Sequence, residues 1–117
     1  MALLDTVLRD VGRTPGVTAA TLLDGVTGLS YAGFGAPEPA EDAQEMAHST
    51  AMNLNVAGFT GELESIVVTT ATHHHVTTCV DQQGGDPLLL FALVERDRTN
   101  ITWALRDLAE HTDRLLA

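Results

Sequence analysis

His73, His74 and His75, with Cys79 four residues further on, are the side chains best suited to chemistry in this sequence. Imidazole and thiolate are the common ligands of zinc, and two histidines at i and i+2 on a strand share a face while the residue between them points away. His73 and His75 could open a metal site, but closure takes a third and usually a fourth ligand. Cys79 would lie about 13 Å beyond His75 along a regular strand. Neither a Cys-x-x-Cys nor a His-Glu-x-x-His spacing supplies the rest. The triplet is therefore expected to form a polar turn or the rim of an interface, with no metal bound and Cys79 a small buried hydrophobe.

Other reactive types are as poorly placed. Arg96 and Arg98 could stabilise charge on a transferring phosphoryl group, but the ordinary reading is a solvated or ion-paired surface arginine. Ser30, Ser49 and Ser65 lack a Gly-x-Ser-x-Gly elbow. Glu62 and Glu64 alternate with apolar neighbours, the signature of a strand rather than of an acid/base pair. No catalytic residue and no cofactor is expected, so function has to reside in surfaces.

The bulk of the chain supports this. Its 117 residues, 44% of them hydrophobic and only 4% aromatic, describe a single domain over 1–117 with an aliphatic core. Sixteen acidic residues against six basic ones give a net charge of −10, which repels nucleic acid and anionic lipid alike. All six basic residues are arginine, so P-loop and Schiff-base lysines are excluded. This Lys-free usage points to a GC-rich bacterial genome. One cysteine suits a reducing cytoplasm. Asp5, Arg9 and Asp10 interrupt the N-terminal apolar pattern, unlike a signal peptide. The longest apolar run, Leu88 to Val94, is too short to span a bilayer.

The elements follow from periodicity. Leu3, Leu4, Val7, Leu8 and Val11 recur at helical spacing, and Arg13-Thr14-Pro15-Gly16 ends that helix. Val17–Leu23 and Leu29–Phe34 read as a hairpin around Asp24-Gly25 and Thr27-Gly28. After Pro37 and Pro39, acidic Glu41, Asp42 and Glu45 favour a helix start, and the helix is expected from Ala40 to Gly58. Its small-residue arc, Ala43, Ala47, Thr50, Leu54 and Ala57, should lie on a sheet. Leu63–Thr70, about His74–Val80 and Leu88–Val94 are three further strands, with Gly84-Gly85 bending the loop between the last two. Thr99 or Asn100 caps a final helix with Ile101, Leu105, Leu108, Thr112 and Leu115 inward. Trp103 falls off that stripe, either against the first helix or toward a partner.

Two features call for an explanation. Met52, Val56 and Phe59 cluster opposite the small-residue arc, where a helix covering a sheet should be polar. Either Phe59 folds back into the core or this is a second contact surface. Leu88–Val94 is apolar on both faces and belongs at the sheet centre, which pushes Leu63–Thr70 to an edge. An uncovered edge carrying Ile66, Val67 and Val68 invites aggregation. A second copy joined two-fold along this strand, with the apolar helix face meeting its counterpart, accounts for both.

Several segments carry a likeness at this point: Pro15-Gly16-Val17 entering the first strand, Asp24-Gly25 after it, Gly61-Glu62-Leu63-Glu64-Ser65 opening the third, and Glu95-Arg96-Asp97-Arg98-Thr99-Asn100-Ile101 opening the last helix. In these, over nearly its whole length, the chain resembles the Roadblock/dynein light chain family. The resemblance implies an α/β (α+β) fold of order α-β-β-α-β-β-β-α. Its five-stranded antiparallel sheet would carry the middle helix on one face and the terminal helices on the other. It also implies dimerisation through the third strand and middle helix, and regulation or scaffolding of small Ras-like GTPases.

The reading is thus a non-enzymatic, cytoplasmic homodimeric adaptor that binds a Ras-like GTPase. Glu64, Ile66, Val67, Val68, Met52 and Val56 are expected at the dimer interface, and His48, Asn55 and Phe59 at the partner surface. A small-ligand sensory domain of PAS or GAF type is the alternative. Such domains hold a cavity lined by aromatic and polar groups, for which aromatics are scarce here.

Overall fold

The computed structural model describes residues 2–35, 40–59, 63–80 and 87–115. The breaker segment through Pro37 and Pro39, the Gly61-Glu62 start of the third strand and the Gly84-Gly85 bend lie outside the described residues. The elements run α1 (Ala2–Val11), β1 (Val17–Asp24), β2 (Ser30–Phe34), α2 (Ala40–Val56), β3 (Ser65–Thr69), β4 (His73–Val80), β5 (Leu88–Glu95) and α3 (Ile101–Leu115). A single 3-10 turn at Arg96–Arg98 joins β5 to α3. The expected order is observed.

The strands form one antiparallel sheet in the order β2-β1-β5-β4-β3. The unalternating apolar strand β5 is central, as its composition demands, because both its faces must be covered. One face carries α1 and α3. There Leu8, Val11, Ala20, Leu22, Val76, Leu90, Ala92, Val94 and Leu108 form a buried aliphatic core. The other face carries α2, over a smaller cluster of Leu23, Ala47, Leu89 and Phe91. Period-two alternation in β1 and β5 divides the two sets: Leu22 and Leu90 point one way, Leu23 and Leu89 the other.

Local chemistry closes each junction. Asp24 ends β1, where its Oδ1 accepts the Val26 N–H at 2.7 Å and the Thr27 N–H at 3.3 Å. Its Oδ2 accepts the Tyr31 hydroxyl at 3.2 Å. The Val26 N–H does most to hold this carboxyl below its ordinary pKa; partial desolvation opposes it, and the Thr27 and Tyr31 bonds add to it. Asn100, not Thr99, caps α3, its Oδ1 accepting the Thr102 and Trp103 N–H groups.

The hairpin between β3 and β4 turns one step earlier than the histidines suggest. The Thr70 N–H donates to the His73 carbonyl at 2.9 Å, leaving Ala71 and Thr72 at the tip. All three histidines belong to β4.

Candidate functional site

Helix α2, strand β3 and the residues flanking them contain the expected interface residues, and both elements leave apolar surface bare. Helix α2 makes its main contacts with β1 and β5, through buried Ala47 and through Gln44, whose amide donates to the Gly25 and Val26 carbonyls. From Ala51 to Phe59 every residue is exposed. Leu54 and Ala57, expected against the sheet, are exposed. Among the residues of the small-residue arc whose burial is described, Ala47 is the buried one, and the last turns of α2 meet solvent on both faces. Met46, Met52, Val56 and Phe59 are all exposed, Val56 at 84% and Phe59 at 67%. Phe59 does not fold back into the core. Its N–H bonds the Leu54 carbonyl, ending α2 with the ring outward.

At the far side of the sheet, β3 has β4 as its one neighbour among the described residues. Ile66 and Val68 lie opposite Thr77 and His75, on the α2 face; Val67 lies opposite Val76, on the face of α1 and α3. Ile66 is half-buried, whereas Val67 and Val68 are exposed. Glu64 is exposed just before the strand, and its carbonyl accepts the Cys79 N–H at 2.8 Å. His48 and Asn55 are exposed on α2. The fold thus sets exposed residues of α2 and the β3 edge on one side of a single sheet.

The histidines divide as strand geometry requires. His73 and His75 share the α2 face with ring centroids 6.5 Å apart, and His75 leans on Phe91 at 6.3 Å. His74 is buried on the opposite face, its Nδ1 2.8 Å from the Thr69 hydroxyl. Among the described residues no group of three or more His, Cys, Asp or Glu is disposed to hold a metal ion. Cys79 is half-buried, and desolvation pushes its thiol pKa up, which disfavours the reactive thiolate. Arg98 approaches Glu95 at 3.8 Å, an exposed ion pair as the ordinary reading expects. Arg96 reaches the Thr70 carbonyl at 3.3 Å, tying the β3–β4 turn to the end of β5.

Of the two readings of Trp103, against the first helix or toward a partner, exposure favours the second: it is 64% exposed, with the Arg106 guanidinium 5.8 Å from the ring centroid. Sequence reasoning also missed a groove of about 480 Å³ beside β2, lined by Leu8, Arg9, Gly12, Arg13, Ala32, Gly33 and Phe34. The charged pair Arg9 and Arg13, one turn apart near the end of α1, was the available signal.

An antiparallel sheet of this order, with one helix on one face and two on the other, is the Roadblock/LC7 fold. The likeness is to solved structures: no family model and no curated protein matches the sequence. A Roadblock/LC7 domain from Streptomyces avermitilis superimposes with TM-score 0.74 at 18% identity, covering 97% of this chain and 92% of that one. MglB of Myxococcus xanthus gives 0.75 at 15% identity, with 98% and 89% covered. MglC of the same organism gives 0.62 at 21% identity, with 97% and 96% covered. The fold expected from the resemblance is the fold observed.

Proposed function

We propose that residues 1–117 form one non-enzymatic Roadblock-like domain. It pairs with a second copy and, as a cytoplasmic adaptor, binds a small Ras-like GTPase, modulating its nucleotide state or location. The observation that carries this reading is the coincidence of a bare sheet edge at β3 with a bare apolar helix, α2, on the same sheet. Fully burying one large apolar side chain contributes about 1.5–3 kcal/mol. Covering Met52, Val56, Phe59 and Val68 together therefore provides a substantial driving force for association. Edge-to-edge pairing of β3 satisfies backbone groups in the same step. Glu64, Ile66, Val67, Val68, Met52 and Val56 make the self-pairing surface in this reading, and His48, Asn55 and Phe59 extend it toward the GTPase.

The GTPase itself comes from the family resemblance, which the fold likeness supports. The test is a pull-down using a Ras-like GTPase of the same genome, loaded with GTP or with GDP. Capture in at least one state is expected; absence of capture in both rejects the GTPase assignment. Sedimentation at micromolar concentration tests self-pairing separately.

A further inference from the structure

Among the described residues the edge of the sheet away from β3 is also bare, and its surroundings differ. Strand β2, Ser30-Tyr31-Ala32-Gly33-Phe34, has β1 as its one neighbour among the described residues. It carries no charge and no proline, two of the devices that usually discourage further pairing at an edge. Ala32 and Phe34 sit opposite Leu22 and Ala20, so they face α1. Between them and α1 lies the groove of about 480 Å³, within the range of recognised binding clefts. Leu8, Ala32 and Phe34 give it an apolar floor. Gly12 lets the floor close, since a Cβ there would stand 3.2 Å from the Phe34 ring.

The rim is basic. Arg9 and Arg13 are two of only six cations on a chain of net charge −10, and both line this groove. Arg13 is 3.6 Å from Asp10 but remains 75% exposed. On so acidic a molecule two arginines lining one groove favour an anionic occupant there.

We propose that this groove receives an extended acidic segment of a partner protein, added as a further strand along β2. In such an addition, main-chain bonds supply affinity and alternate side chains supply specificity. Residues of the incoming strand on the Ala32 and Phe34 face meet α1: aliphatic ones settle on Leu8 and Phe34, and carboxylates at i±2 reach Arg9 and Arg13. The inference does not rest on self-pairing or on the GTPase, because β2 and β3 are opposite edges of the sheet.

The test is selection of phage-displayed random dodecapeptides on the wild-type protein, followed by fluorescence anisotropy with the enriched peptides after labelling. Enrichment of sequences alternating aliphatic residues with Asp or Glu is expected. Their affinity should fall about tenfold in an Arg9→Glu/Arg13→Glu variant and also fall as salt rises. Ala32→Trp, which fills the floor without touching charge, should abolish binding and serves if the charge-reversed variant does not fold. Failure to enrich any peptide, enrichment of basic or neutral sequences, or unchanged affinity in the folded variants overturns the proposal.

Discussion

Val67 and Val76 face each other across the β3–β4 ladder, yet Val76 is fully buried and Val67 is 37% exposed. They terminate one row of side chains across the whole sheet, Phe34-Ala20-Ala92-Val76-Val67. The helices cover this row as far as β4 and stop one strand short. If a second copy completes the cover, placing charge at the two bare elements should prevent it. Val56→Glu combined with Val67→Arg is expected to leave far-UV circular dichroism unchanged. Sedimentation should shift it from twice the 12.4 kDa chain mass to the single chain. A wild type that sediments as one chain defeats the self-pairing reading.

Asp24 supplies a pH-dependent contribution of predictable sign. Hydrogen bonds, that of the Val26 N–H foremost, depress its pKa in the folded state. Its stabilisation is thus fully present above the unfolded value of about 3.9 and is lost as pH falls through the lower folded value. Asp24→Asn should destabilise the protein at pH 7 and flatten the acid limb of its stability curve. Urea titrations at pH 7 and pH 3 measure both; parallel curves for variant and wild type contradict the assignment.

Leu90 tests the core. It is 1% exposed, on the central strand, among the side chains buried beneath α1 and α3. Leu90→Ala should cost about 2–5 kcal/mol through lost transfer energy and the cavity left behind. The urea midpoint should fall while the slope of the transition stays constant.

Gly35 and Gly58 both hold positive φ, at 77° and 87°, but differ in their surroundings. A Cβ at Gly35 would meet the Thr18 carbonyl at 2.5 Å and the Ala19 Cβ at 2.7 Å, whereas one at Gly58 meets nothing within 4 Å. Gly58→Ala should therefore cost only the left-handed penalty, about 1–2 kcal/mol. Gly35→Ala should cost clearly more. Thermal midpoints of the two variants decide the order.

Much of the fold was legible because burial imposes a period. Leu88–Val94 lacks alternation, and that alone placed β5 at the centre. Ile66, Val67 and Val68 are apolar on both faces of β3, so the pattern there could not show which face the helices would leave open. Pattern failed where a side chain's cover depends on how far a helix stays on its sheet. Leu54 and Ala57 occupy the same arc as Ala47, yet they are exposed where Ala47 is buried. Trp103 lay off the inward stripe with two readings open, and pattern alone could not choose between them; in α3 the ring is exposed beside the Arg106 guanidinium. The β2 groove joins α1 to a strand about twenty residues later, a proximity that no local period encodes.

The middle of the sheet is the last strand to leave the ribosome. Hairpins β1–β2 and β3–β4 can each close early, but they share no ladder until β5 slides between them. Until residue 95 has emerged, the nascent polypeptide holds two half-sheets with facing open seams, the situation in which exposed strands most readily capture a wrong neighbour. Assembly is thus gated by a single late insertion, and a stall in translation before Leu88 should yield the most chaperone-dependent intermediate.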